Sequence, residues 1–158
     1  MKEPEFTPIP EVVEALKRGR QIVLVDDQNR ENEGDLVAAA EHVTPETVNF
    51  MLVHGRGILC LAMAGGEIDR LGLRPHESTP RDRLGTAWHT PIDVRLGIST
   101  GTSAGDRATT IRAAADPRTS PADFVCGHVQ TLRAVEGGVL VRAGHTEGAV
   151  DLMRIAGL

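Results

Sequence analysis

Tyrosine is absent from this sequence, and aromatic residues as a whole make up 3% of it, one Trp and three Phe. The core must therefore be built from Ala, Val, Leu and Ile, and base-stacking platforms for single-stranded nucleic acid have almost no raw material. Basic charge is also short: 17 Lys and Arg stand against 22 Asp and Glu, a net charge of −5. Phosphate-backbone binding is driven by Lys and Arg, so no nucleic-acid partner is expected, although a local basic pocket stays open. Cysteine is limited to Cys60 and Cys126, far apart and without a CxxC spacing. That pattern suggests neither a disulfide framework nor a cysteine zinc site and leaves free thiols. No run approaches the ~20 apolar residues of a membrane span. The opening MKEPEFTPIPE is acidic and proline-broken, unlike a charged start leading into an apolar stretch. A cytoplasmic protein is expected, with no membrane partner.

What is present fits one domain covering residues 1–158, with 41% hydrophobic and 25% charged residues. Val12, Val13 and Leu16 share a face between Glu11 and Arg18, which predicts a short helix stopped by Gly19. A strand is expected at Gln21 to Val25, a polar loop from Asp26 to Gly34, and another strand at Leu36 to Ala40. Thr44 and Pro45 open a helix to about His54; a strand follows at Gly57 to Ala62 and a short helix at Glu67 to Leu71. The polar stretch Gly72 to Gly85 reads as an exposed segment able to act as a lid. Trp88 to Val94 is strand-like, and Ser103 caps a helix to Ala115, ended by Asp116 and Pro117. A loop is expected up to Gly127, then a strand at Val139 to Arg142, a Gly144 turn, Thr146 as N-cap and a helix to about Ile155. Alternating helices and strands place the chain in the α/β (α+β) class, with a central mixed sheet flanked by helices.

Chemistry concentrates in two places. Asp26 to Asp35 holds five carboxylates and one arginine in ten residues, directly after the apolar run Ile22 to Val25. Massed carboxylates repel one another unless a cation or proton is shared, and oxygen-rich sites suit hard ions such as Mg²⁺. The stretch equally reads as a solvated acidic loop, and its glycine comes too late for a calcium-binding EF-hand loop. In Arg142-Ala143-Gly144-His145-Thr146-Glu147 a strand turning through glycine into a helix suits an anion, with Arg142 beside a helix N-terminus. An ordinary capped turn gives the same pattern, except that it has no requirement for His145. Cys126-Gly127-His128 and the small-residue turn Thr100 to Arg107 are either further site elements or local capping. Cys60, within an apolar strand, reads as an inert buried thiol.

Three segments in order, residues 26–36, 100–111 and 137–152, resemble the signature segments of the 3,4-dihydroxy-2-butanone 4-phosphate synthase family, and the likeness runs from the first helix to Leu158. The resemblance implies that family's fold and the Mg²⁺-dependent (or Mn²⁺-dependent) lyase reaction converting ribulose 5-phosphate to formate and 3,4-dihydroxy-2-butanone 4-phosphate in riboflavin biosynthesis. It implies a homodimer with sites at the interface and no organic cofactor. By motif, Glu31 and His145 hold the metal and also meet the substrate. Arg30 and Asp35 contact the sugar, and Arg142, Ala143, Gly144 and Thr146 hold the phosphate. Asp26, Glu33 and Cys60 line the pocket as candidate catalytic groups, and His128 is the catalytic histidine of a Gly-His segment. This chain departs from the pattern at Cys126, where the family has proline, at Val129 to Leu132, and at Thr102. The family pattern also continues past 158 and carries a catalytic glutamate there. The alternative expectation is a divergent relative performing another enediol-type reaction on a related sugar phosphate, or one that only binds a sugar phosphate or a partner protein.

Overall fold

The computed structural model describes residues 6–76 and 83–158. The stretch expected as a lid is therefore described at its two ends, 72–76 and 83–85, and 77–82 lie outside the described residues. Helix α1, Ile9–Lys17, starts with Pro10 in its first turn, where the missing N–H costs nothing, and buries Val13 and Leu16. It ends where Gly19 takes a φ of +71° and donates to the Leu16 carbonyl. Strands β1, Ile22–Val25, and β2, Gly34–Val37, pair antiparallel, with Val25 opposite Gly34, so the acidic residues 26–33 form the connection of a hairpin.

Helix α2, Pro45–Phe50, is capped by the Thr44 hydroxyl, which accepts from Thr47 N–H at 3.2 Å. The predicted helix to His54 finishes instead as a wider π-type turn, Met51–Gly55, closed by Arg56 in the left-handed region. Strand β3, Cys60–Met63, helix α3, Gly65–Arg70, strand β4, Trp88–Val94, and helix α4, Ala104–Ala115, follow. Ser103 caps α4 as expected, its hydroxyl accepting from Asp106 N–H at 3.0 Å. Strands β5, Phe124–Cys126, and β6, Val129–Arg133, complete a sheet in the order β3-β6-β4-β5. Among the described residues only β3 and β6 pair in parallel, so the sheet is mixed, as expected. The core between this sheet and α2, α3 and α4 is aliphatic, Val48, Ile68, Ile92, Ala108 and Val129 among it, with Phe124 as its aromatic member.

Three local expectations are corrected. The loop expected up to Gly127 contains β5, whose three residues are too few to show a period of two. Val139 to Arg142 is not a strand: Gly138–Leu140 form a 3₁₀ turn, and Val139, Leu140 and Val141 are exposed. The flanking Gly137 and Gly138 both have positive φ, +92° and +62°, which no strand residue adopts. Thr146 is not the N-cap of helix α5, His145–Ala156; that position is Gly144, without a side-chain cap, and Thr146 is buried in the first turn.

One contact sets α5 against the hairpin, and another ties it to the turn before it. A Cβ on Gly148 would lie 2.9 Å from Leu24, so the glycine lets α5 approach β1 closely. Asp151 accepts from Val139 N–H at 2.9 Å and ties the preceding turn to the helix. A Cβ at Gly138 would stand 2.6 Å from the Asp151 carboxyl carbon, in addition to the φ strain. Gly138→Ala is therefore expected to lower stability by about 1–3 kcal/mol, read as a lower thermal midpoint; an unchanged midpoint would contradict this account of the turn.

Candidate active site

Asp26, one residue past β1, organises the acidic loop. Its Oδ1 accepts from Glu33 N–H at 3.0 Å, and its Oδ2 accepts from Glu31 N–H at 3.0 Å and the Arg30 guanidinium at 2.8 Å. Asp27 closes a smaller turn on Asn29 N–H at 2.8 Å, and Asn32 supplies a φ of +54° that asparagine tolerates. Burial opposes charge on Asp26, whose side chain is 5% exposed, but the bonds from Glu33, Arg30 and Glu31, with His145 nearby, outweigh it and hold the carboxyl at about 2. Arg30 also grips the Glu31 carboxylate, so the loop is cross-linked rather than a solvated acidic run.

His145, the first residue of α5, faces this loop. Its Nδ1 lies 3.4 Å from Glu31 Oε2 and 3.9 Å from Asp35 Oδ2, and its Nε2 is buried without a hydrogen-bond partner. Asp26, Glu31 and His145 each offer a donor atom within 4.8 Å of the others. Two carboxylates facing an imidazole suit a divalent cation. Both Asp26 oxygens and Glu31 Oε2 already accept bonds inside the loop, which leaves Glu31 Oε1 and the His145 ring with the capacity to ligate it.

The N–H groups of the first turn of α5 have no intrahelical acceptor and no side-chain cap. Arg142 lies against Gly144, pairs with the buried Glu147 at 2.5 Å, and donates to the Leu84 carbonyl and the Thr86 hydroxyl at 3.3 Å. Glu147, 1% exposed, in turn accepts from Val135 N–H at 3.0 Å. A cavity of about 460 Å³ opens beside these elements, lined by Arg30, Glu31, Glu33, Arg83 and Leu84. Glu33 is thus brought to the same wall as Glu31 and Arg30.

Cys60, at the start of β3, is half-buried; burial, with the Asp35 charge adding, pushes its thiol up to about 11. It is a thiol, not a thiolate, at neutral pH.

His128 joins a different group. Its Nδ1 lies 2.6 Å from Asp93 Oδ2, and its N–H donates to Asp93 Oδ1 at 3.0 Å. The Asp93 side chain is 7% exposed and that of His128 45%. A Cβ on Gly101 would stand 2.6 Å from His128 Nδ1 and one on Gly127 would stand 2.1 Å from Asp93 Cγ, so both positions require glycine. Asp106 holds the approach of Gly101 by accepting from Ser99 and Gly101 N–H, each at 3.1 Å. The small-residue turn is thus both a cap and the wall behind the His128–Asp93 pair. Among the described residues, no ion pair or hydrogen bond links His128 to the acidic loop or to His145.

Sequence reasoning missed Asp93, Glu147 and Arg83. A carboxylate within the apolar strand β4 was the signal for Asp93; Glu147 stood in the Gly-His-Thr-Glu segment without a role, and Arg83 had no local mark. One outcome follows from the Cys60 environment: at pH 8 iodoacetamide should label Cys60 far more slowly in the native protein than in the unfolded chain, by mass-spectrometric peptide analysis, and equal rates would contradict the burial described.

The family model described as 3,4-dihydroxy-2-butanone 4-phosphate synthase matches residues 10–158. The riboflavin biosynthesis protein RibBA of Salinispora arenicola is 54% identical over 97% of this chain and 37% of its own length. A 3,4-dihydroxy-2-butanone 4-phosphate synthase of Neisseria meningitidis is 48% identical over 97% of this chain and 42% of its own. The chain thus spans about two fifths of the length of these curated relatives. A solved 3,4-dihydroxy-2-butanone 4-phosphate synthase in complex with two magnesium ions superposes with a TM-score of 0.93 at 43% identity, covering 96% of this chain and 71% of that one. With the acidic loop, the Gly-His-Thr helix start and the mixed sheet all matched along nearly its whole length, the chain belongs to the 3,4-dihydroxy-2-butanone 4-phosphate synthase family.

Proposed function

We propose that this protein converts ribulose 5-phosphate to formate and 3,4-dihydroxy-2-butanone 4-phosphate in riboflavin biosynthesis, using Mg²⁺ or Mn²⁺. The observation that carries the reading is the meeting of Glu31 with His145, whose second nitrogen is buried and unpartnered, at the open N-terminus of α5. Glu31 and His145 would hold a divalent ion, which would supply the electrophilic charge that acidifies a C–H next to the sugar carbonyl. The protein does the rest. The first-turn N–H groups of α5 at His145 and Thr146, with Gly144, Ala143 and Arg142, hold the phosphate. Arg30 and Asp35 position the sugar hydroxyls. Asp26 keeps its charge and holds the loop in shape, while Glu33 on the cavity wall is the candidate for proton transfer. Cys60 contributes a neutral thiol to the wall.

Asp93 on Nδ1 leaves His128 Nε2 as the nitrogen able to exchange a proton with substrate. We place His128 in the site of a homodimer, a reading supported by the exposed Val23 and Val25 on the hairpin that carries the acidic loop. No helix among the described residues is long and apolar enough to cross a membrane, which is consistent with a cytoplasmic location.

The function is tested by incubating the protein with ribulose 5-phosphate and Mg²⁺ and following the products by NMR. Metal-dependent appearance of formate and the four-carbon phosphate is expected; binding of the sugar phosphate without formate would overturn the reaction. Glu31→Gln and His145→Ala should each weaken Mn²⁺ by more than the roughly 10–100-fold that loss of an outer-shell partner costs, measured by water-proton relaxation. Unchanged affinity in both would remove the proposed ligands. His128→Ala should abolish turnover while leaving substrate affinity near that of the unsubstituted protein, and normal turnover would take His128 out of the mechanism.

A further inference from the structure

We propose that Arg83 is a further substrate-binding residue, donating to the phosphate beside the α5 cradle. This rests on the sugar-phosphate reading above.

The argument begins with charge. The cations already assigned to the site are each matched by a carboxylate. Arg30 is bound by Asp26 at 2.8 Å and also by Glu31, and Arg142 is bound by the buried Glu147 at 2.5 Å. Around the cavity itself, Arg30 against Glu31 and Glu33 leaves a wall with one excess negative charge, which Arg83 cancels. A phosphate monoester approaching a net-negative wall is repelled, whereas a cleft lined by the opposite sign concentrates it. A divalent ion held by Glu31 and His145 would offset that charge, and Arg83 would add the directed hydrogen-bond donors that an ion lacks. Among the described residues, Arg83 makes no hydrogen bond or ion pair, so its guanidinium is available.

Position supports the same role. The Leu84 carbonyl accepts from two nitrogens of the Arg142 guanidinium, both at 3.3 Å, and the Thr86 hydroxyl bonds to the same group. These contacts fix the backbone at residues 84–86 against the guanidinium that itself touches Gly144 at the start of α5. Arg83 is the next residue along and lines the cavity on which Arg30 and Glu31 also stand. A planar fork at that place would complete an anion site whose other donors are the first-turn N–H groups of α5 and Arg142.

The test compares Arg83→Met and Arg83→Lys with the unsubstituted protein in KM and kcat for ribulose 5-phosphate, in binding of inorganic phosphate by titration calorimetry, and in Mn²⁺ affinity. Arg83→Met should raise KM and the phosphate Kd by at least about tenfold, the loss expected for a charge-assisted pair. The change in kcat should stay within about threefold, since the interaction is made equally in ground and transition states. Arg83→Lys should recover part of the affinity, and Mn²⁺ affinity should not move. Unchanged KM and phosphate Kd in Arg83→Met would overturn the proposal, as would an equal loss of Mn²⁺ affinity. A protein that binds phosphate through Arg83 but releases no formate would instead contradict the proposed reaction and leave Arg83 standing.

Discussion

The buried carboxylate of Asp26 is the constraint on which the site depends. It sits where an apolar hairpin strand ends, and it turns the following seven residues into a defined structure by accepting from Glu31 N–H, Glu33 N–H and Arg30. Without those bonds, five carboxylates in ten residues would repel one another and extend. With them, Glu31 is aimed at the start of α5 and Glu33 at the cavity. The close approach of Gly148 to Leu24 brings the other half, since α5 can present His145 only if it lies tightly against β1.

Pairing of opposite charges runs through the whole site. Arg30 links Asp26 and Glu31; Arg142 is bound to Glu147, which also holds Val135. Such pairs trade net charge for geometry: each guanidinium is orientated by the carboxylate it meets. Among the described residues, the remaining positive potential at the site comes from the α5 N-terminus and Arg83. The His128–Asp93 pair follows the same logic elsewhere in the sheet, where glycines at 101 and 127 leave room for the carboxylate to meet both the ring and the backbone of His128.

Much of the fold was legible because local rules and tertiary packing agree. Val13 and Leu16 marked α1, Ser103 marked the start of α4, and the apolar run before Asp26 marked β1. The class and mixed sheet followed from the alternation. What failed did so for identifiable reasons. Val139 to Arg142 carries β-forming residues, but the two preceding glycines with positive φ and the Asp151 bond to Val139 impose a turn. Thr146 has the chemistry of a cap, yet the helix begins one residue before it and buries it. In the site, Asp26, Glu31, Glu33 and Arg30 were visible as a dense run and His145 as an unnecessary histidine in a turn. That Glu31 and His145 meet, and that His128 pairs with Asp93, depends on strand order and on residues far apart in the chain, which no local pattern encodes.

The most direct test of Asp26 as organiser is the Mn²⁺ affinity of Asp26→Asn, measured by water-proton relaxation at neutral pH. Asparagine keeps the size of the side chain but loses the charge and one acceptor, so Glu31 should lose its fixed position and affinity should fall by roughly 10–100-fold, with the fold intact by circular dichroism. Affinity equal to that of the unsubstituted protein would show that the loop holds Glu31 against His145 without Asp26, and would contradict the account.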